Sequence, residues 1–369
     1  MQAVKSDAKE RPAQWWRPLG DGSGKVVCEL CPRQCHIPEG QRGFCFVRAN
    51  EGGRLVLTTY GRSSGFCIDP IEKKPLNHFF PGTSVLSLGT AGCNLGCKFC
   101  QNHDISKSRR MDALQSVATP EAVVEAAVAH DCKSIAFTYN DPTIWAEYAI
   151  DIARAARAAG VKTVAVTAGY ISPEPRRAFY DCMDAANVDL KGFSETFYRK
   201  LTQTSLRPVL DTIAYIANET RCWLELTTLV IPGENDSDDE LRAMCRWVVD
   251  HVGRDVPMHF TAFHPDYRMM NTPATPHATL VRARRIAMQA GVRYAYVGNV
   301  VDPRHEATYC PGCGMCVIER NRYQIGGYRL AGEKGDRCTR CGAAIPGAFD
   351  PAGRPGCWGS RRLPVLIDG

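Results

Sequence analysis

Apolar residues along this chain alternate between two periods. Seven short runs rich in β-branched and aromatic residues read as strands: SVLSLGT (84–90), SIAFTY (134–139), TVAVTA (163–168), NVDL (187–190), WLELTTLV (223–230), MHFTAF (258–263) and YAYVGNV (294–300). Each is bounded by turn residues. Helix signals lie between them. Thr119, Pro120 and Glu121 supply an N-cap, a first-turn proline and an acidic first turn. Over 142–159, Trp145, Tyr148, Ile152 and Ala156 fall on one helical face, and Gly160 ends the pattern. Ser237 opens a further helix, with Asp238, Asp239 and Glu240 at its positive end.

Strand, helix and strand repeating in this way imply βαβ units and a parallel sheet. The class is α/β, and the number of units predicts a full or partial TIM-type (β/α) barrel over 84–304; an open doubly wound sheet is the competing architecture. In both, ligands gather at the carboxyl ends of the strands, so chemistry is expected just after each one. Residues 1–83 form a Cys-rich N-terminal extension, with a hairpin expected around Asn50, Glu51, Gly52 and Gly53. Residues 305–369 are rich in Gly, Pro and Arg and too polar to build a large core, which suits a module stapled by metal.

Composition adds one decisive feature. Of 369 residues, 44% are hydrophobic and 23% charged, and no apolar run is long enough to cross a membrane. The first residues carry no apolar signal segment, so a cytoplasmic protein is expected. A net charge of +6 is mild: it helps attract an acidic partner such as a flavodoxin but forms no clustered nucleic-acid face. The densest basic spot, Lys107 to Arg110, reads as a solvated face. The eighteen cysteines, by contrast, are clustered, and in a cytosolic chain clustering points to metal rather than disulfides. Cys67, Cys132, Cys182, Cys222, Cys245 and Cys357 stand apart and read as small core residues.

Cys93, Cys97 and Cys100 occupy the loop GTAGCNLGCKFCQNHD, directly after the first barrel strand. A structural zinc site takes four protein ligands. A [4Fe–4S] cluster held by three thiolates keeps one iron open for a small molecule. Gly92 and Gly96 permit a tight wrap in which backbone N–H groups reach the sulfur atoms.

This C-x3-C-x2-C loop, with Phe99 before its last cysteine, resembles that of the radical SAM superfamily. The resemblance implies a [4Fe–4S] cluster whose open iron binds S-adenosylmethionine, reductive cleavage to methionine and a 5′-deoxyadenosyl radical, and hydrogen abstraction from substrate. It also implies an electron donor such as flavodoxin or ferredoxin. In place of a Gly-Gly-Glu segment after the second strand stands Thr138-Tyr139-Asn140-Asp141-Pro142. Asp141 there can meet the cofactor's ammonium or cap the following helix. Asp189 and Lys191, in a D-x-K after the fourth strand, resemble a pair in glycyl-radical-enzyme activases that contacts S-adenosylmethionine, with a structural ion pair as the alternative. His264 after the sixth strand matches a cofactor-contacting histidine of the same activases, and Asn299 ends the last strand. The longer phrases CELCPRQCHIPEGQRGFCFVR, IDPIEKKPLNHFFPGT and FTYNDPTIWAEY together resemble the radical SAM member of the AmmeMemoRadiSam system, an activase-like group. Asp141 departs from the Glu common at its place, which shortens its reach by one methylene.

Two fuller groups flank the barrel. Cys310, Cys313, Cys338 and Cys341 form paired C-x2-C knuckles, each followed by glycine, and read as a zinc ribbon, with Cys316 spare. Cys28, Cys31, Cys35 and Cys45 fall within 18 residues and suit either zinc or an auxiliary iron–sulfur cluster. The segment 71–76, IEKKPL, is either a solvated loop or a part of the substrate region. The reaction expected is radical chemistry on a small-molecule or protein substrate, including the activase case of a partner's glycine. A zinc-ribbon binding protein with an inert barrel is the rival from another class.

Overall fold

The computed structural model describes residues 11–109, 116–351 and 358–367. Its centre is one nine-stranded sheet. In chain order its strands are β1 (Phe66–Pro70), β2 (Ser84–Leu88), β3 (Ser134–Phe137), β4 (Lys162–Thr167), β5 (Ala185–Asp189), β6 (Trp223–Val230), β7 (Met258–Ala262), β8 (Ala295–Gly298) and β9 (Leu363–Val365). Strands β2 to β8 are parallel and lie in strictly sequential order. No reversal of order occurs among them, as a doubly wound sheet would require. β1 runs antiparallel beside β2, and β9 pairs antiparallel with β1. The ladder ends at β8 on one side and β9 on the other, so it is open among the described residues.

One principal helix fills each crossover: α1 (Pro120–Ala129), α2 (Ala146–Ala158), α3 (Pro173–Tyr180), α4 (Arg207–Glu219), α5 (Asp238–His251) and α6 (His277–Ala290). The expected caps form. Thr119 Oγ1 accepts from Ala122 N at 3.2 Å, and Ser237 Oγ accepts from Glu240 N at 3.3 Å. The helix expected from 142 starts later, at Ala146, because Asp141 and Pro142 set up a single 3₁₀ turn first.

Strand register sorts the sheet into two faces. Leu86, Leu88, Ile135, Phe137, Leu224, Leu226 and Phe260 lie on one face and join the main core with α-helical residues such as Val123, Ile152, Val209, Leu241 and Leu280. Full burial of each large apolar side chain contributes about 1.5–3 kcal/mol. The other face mixes small and polar residues, among them Ser87, Ala136, Asn187, Asp189, Glu225, Thr227, His259 and Thr261, with the apolar Val85, Val164, Trp223 and Leu229. At its amino-terminal end the segment after β1 plugs the interior, packing Ile71, Leu76 and Phe79 on Val85, Ala136, Val164 and Ala185. IEKKPL is therefore largely buried rather than solvated. Glu225 anchors this plug by accepting from Asn77 N at 2.9 Å and His78 N at 2.7 Å. The carboxyl ends remain free to form a site.

The flanking segments clasp the sheet. The hairpin joins Arg48–Glu51 to Arg54–Leu57, with Gly52 and Gly53 both at positive φ. After β8, strands Thr308–Tyr309, Cys316–Asn321 and Gln324–Tyr328 form an antiparallel sheet that packs Val317 and Ile318 on Tyr294 and Tyr296. This module is stitched to the interior plug: Arg320 Nη2 donates to Asn77 O at 2.6 Å, and Ala348 N donates to His78 O at 2.8 Å. Among the described residues, no helix is long and apolar enough to cross a membrane.

Candidate active site

The loop after β2 carries the first cysteine set and is held by backbone groups from outside it. Gly96 N donates to Thr202 O at 2.8 Å and Lys98 N to Leu201 O at 2.9 Å. Asn140 braces it from β3: its Nδ2 donates to Gly92 O at 2.8 Å and its Oδ1 accepts from Thr90 N at 3.2 Å. Lys107, expected on a solvated face, instead donates to Leu95 O at 2.6 Å; Arg110 lies outside the described residues. Gly92 has φ +82°, and a Cβ there would sit 2.0 Å from Cys45 O, so only glycine fits. Leu95 N points at Cys93 Sγ at 3.4 Å, and Ser106 Oγ meets Cys100 Sγ at 3.0 Å.

Cys93, Cys97 and Cys100 line a cavity of ≈ 290 Å³ at the carboxyl ends of the strands. Asp141, Asp189, Lys191, Thr227, Thr261 and Asn299 line the same cavity. The three cysteines do not form one of the tight ligand sets, within 4.8 Å, that would suit a single ion. Three spaced thiols, an N–H aimed at sulfur and a cavity with polar walls fit a [4Fe–4S] cluster with one open iron.

Asp141 is buried and already engaged. Oδ1 accepts from Thr143 N at 3.0 Å and Oδ2 from Ala168 N at 2.8 Å; Thr167 Oγ1 lies 3.1 Å from both. It therefore caps the turn after β3 and ties it to the end of β4. Burial raises its pKa, while these donors pull it down. Asp189 Oδ2 accepts from Lys191 Nζ at 2.8 Å. Burial alone would lower the lysine's pKa, but the Asp189 charge raises it, so Lys191 stays cationic.

His264 falls elsewhere. It is exposed and lines a second cavity of ≈ 360 Å³. The two cavities share Pro75, Gln101, Thr261 and Asn299. The far wall of the second comes from the C-terminal module, through Arg320, Arg322 and Tyr323, and from Glu72 and Lys73 of the plug. Nothing in the sequence pattern linked residues near 320 to the site. Glu225 and His259 were detectable in principle: each is a charged or titratable residue at an inward position of an apolar strand. Their side chains pair at 2.6 Å beneath the cavity.

The C-terminal knuckles converge. Cys310, Cys313, Cys338 and Cys341 bring all four ligand atoms within 4.8 Å of one another, with Cys310–Cys341 at 3.5 Å and Cys313–Cys338 at 3.8 Å between sulfurs. Gly314 and Gly342, both at positive φ, donate their N–H groups to Cys310 O and Cys338 O. Cys316 stands outside this set. Cys28, Cys31, Cys35 and Cys45 line one small enclosed space. Of the isolated cysteines, Cys67, Cys132, Cys222 and Cys245 are buried, Cys182 is half-buried, and Cys357 lies outside the described residues. Among the described residues, no cysteine forms a disulfide.

Comparison with known proteins agrees with this geometry. The profile of the radical SAM superfamily matches residues 87–245, from the end of β2 through the three-cysteine loop and β6 into α5. An uncharacterised protein of Methanocaldococcus jannaschii is 42% identical over 335 residues, covering 91% of this chain and 98% of its own length. The chain belongs to the radical SAM superfamily. The isethionate sulfite-lyase activating enzyme of Oleidesulfovibrio alaskensis is 25% identical over 62% of this chain and 74% of that protein. Among solved structures, a radical SAM methyltransferase from Sphaerobacter thermophilus is similar at a TM-score of 0.47, with 16% identity over 60% of this chain and 67% of that one. As a radical SAM protein the chain is an enzyme, and its superfamily implies a [4Fe–4S] cluster and S-adenosylmethionine.

Proposed function

We propose that this protein is a radical SAM enzyme of the activase-like AmmeMemoRadiSam type that abstracts hydrogen from a small molecule. Cys93, Cys97 and Cys100 hold the cluster, which when bound supplies the electron that cleaves S-adenosylmethionine to methionine and a 5′-deoxyadenosyl radical. Asp141, Asp189 and Lys191 face the cofactor. The engaged Asp141 carboxylate fixes the turn and presents negative charge to the ammonium; the Asp189–Lys191 pair offers both signs to a zwitterion. His264 and Asn299 lie on the way to the second cavity, with Asn299 tied back by its Nδ2 to Ala262 O at 3.1 Å. The four C-terminal cysteines hold zinc, and a partial barrel carries the site. The electron donor is a flavodoxin or ferredoxin.

The observation that carries the small-molecule reading is the second cavity. It adjoins the first, has the size of a metabolite site, and is walled by Arg320, Arg322 and Tyr323 of the C-terminal module. A partner's glycyl loop would need an open approach there. The similarity to an activating enzyme favours the alternative, a glycine on a partner protein. Extract from cells grown in deuterated water separates the two. The reconstituted enzyme should make deuterated 5′-deoxyadenosine with the low-molecular-weight fraction. Deuterium transfer only from the protein fraction would overturn this reading.

A further inference from the structure

Strand Cys316–Asn321 of the C-terminal module alternates along its second half: Ile318 and Arg320 turn inward, whereas Glu319 and Asn321 are exposed. Ile318 packs in the module's core, and Arg320 follows it into the interior, where it is 2% exposed. A charge at an inward strand position is costly unless something answers it. Arg320 lines the second cavity, with its guanidinium carbon 5.9 Å from the centre of the Tyr296 ring.

The guanidinium is hydrogen-bonded but not neutralised. Nη1 donates to Thr308 Oγ1 at 2.7 Å and Glu306 O at 3.3 Å, and Nη2 donates to Asn77 O at 2.6 Å. All three acceptors are uncharged oxygens, and Nε has no partner among the described residues. Two carboxylates line the same cavity, and each is engaged elsewhere. Glu306 accepts from Asp302 N at 3.1 Å and from Arg322 N at 2.5 Å. Glu72 accepts from Gly82 N at 2.7 Å, and burial pushes its pKa up to about 7 despite the pull of Arg320. At neutral pH Glu72 therefore supplies only about half a counter-charge. Lys73 is held by Asp69 at 2.8 Å. Arg322, exposed on the same wall, adds a second guanidinium.

We infer that Arg320, with Arg322 beside it, binds an oxyanion of the substrate, which makes the hydrogen donor a small molecule bearing a carboxylate or phosphate. The anchor's role in the reaction rests on the small-molecule reading of this cavity, whereas its affinity for anions does not. A planar guanidinium fork suits either oxyanion. Gln101, Thr261 and Asn299 line both cavities, so a molecule anchored at Arg320 extends past them toward the cysteine loop. The anchor thereby sets which end of the donor meets the radical.

Calorimetric titration of the full-length reconstituted protein at fixed ionic strength tests the site, with inorganic phosphate and malonate as probes and methylammonium as the cationic control. About one anion should bind per chain, and Arg320→Met should weaken it at least about tenfold. Arg322→Gln removes a charge from an exposed side chain and should weaken it about threefold or more, which keeps the test decisive if Arg320→Met does not fold. Tighter binding of phosphate marks a phosphate ester, and tighter binding of malonate a carboxylate. Anion binding that survives every variant that folds, or methylammonium binding that Glu72→Gln abolishes, overturns the anion site. Deuterated low-molecular-weight extract is then split on an anion exchanger. The retained fraction should deliver deuterium to 5′-deoxyadenosine, and both variants should raise the amount needed for half-maximal transfer more than they lower the maximal rate. Deuterium delivered by the unretained fraction overturns the anionic donor. Deuterium delivered only by the protein fraction overturns the small-molecule reading and leaves the anion titration standing.

Discussion

Asp141→Asn tests how the turn after β3 is built. The carboxylate serves two backbone donors with different oxygens, Thr143 N with Oδ1 and Ala168 N with Oδ2. An asparagine has one oxygen. Whichever way its amide turns, an NH₂ faces one of the buried N–H groups, and that donor loses its partner. Leaving one of these buried N–H groups unsatisfied costs about 1–3 kcal/mol, a range that includes the cost of a lost N-cap, so the variant should lose about 1–3 kcal/mol locally. Hydrogen exchange read by mass spectrometry should show faster exchange in peptides containing Thr143 and Ala168, with α5 unchanged. If Asp141 also faces the cofactor's ammonium, affinity for S-adenosylmethionine, measured by equilibrium dialysis on reconstituted protein, should fall about 10–100-fold, the equivalent of about 1.5–3 kcal/mol. Unchanged exchange at both peptides would refute the capping role. Normal affinity beside faster exchange would confine Asp141 to structure.

Other outcomes follow from neighbouring residues. Glu72 is buried, with a pKa pushed up to about 7 mainly by burial. The folded state then holds a proton that the unfolded chain gives up near 4.5, so this group costs stability as pH rises from about 4.5 to 7. Glu72→Gln should therefore raise stability at pH 8 by about 1–3 kcal/mol and flatten that slope in urea titrations; a destabilised variant at pH 8 would contradict this. Gly92→Ala places a methyl on Cys45 O and should abolish iron incorporation at the loop, seen as lost absorbance near 400 nm; normal iron content would contradict the geometry. Cys338→Ala should release about one zinc per chain and lower the melting temperature while leaving iron at the Cys93 loop. Asp189→Asn removes the charge paired with Lys191 and should weaken S-adenosylmethionine binding about tenfold or more with iron content unchanged; unaltered binding would leave the pair purely structural.

The strands, the caps and the cysteine loop were legible because each rests on local chemistry. A β-branched run, a Ser or Thr before an acidic turn, and a C-x3-C-x2-C spacing carry their own signal. β1 was missed as a member of the sheet. It lies in the segment assigned to the N-terminal extension, is antiparallel, and pairs with a partner 295 residues away at β9, as Leu363 beside Ile68 illustrates. Long-range pairing of this kind leaves no periodic trace. The second cavity was missed for a related reason, since Arg320 reaches Asn77 across 243 residues. The segment IEKKPL looked hydrophilic, but its charged residues find partners inside: Lys74 Nζ meets Asp69 Oδ2 at 2.8 Å, and Glu72 Oε1 accepts from Gly82 N at 2.7 Å, although Glu72 Oε2 is buried with no partner among the described residues. Charged letters indicate exposure only when no partner waits in the interior.

The most direct test of the account is cleavage of S-adenosylmethionine. Anaerobically reconstituted wild type should produce 5′-deoxyadenosine and methionine when dithionite and S-adenosylmethionine are added, and Cys97→Ala should produce neither. Equal product from both proteins, or none from a wild type that carries its full iron, would contradict it.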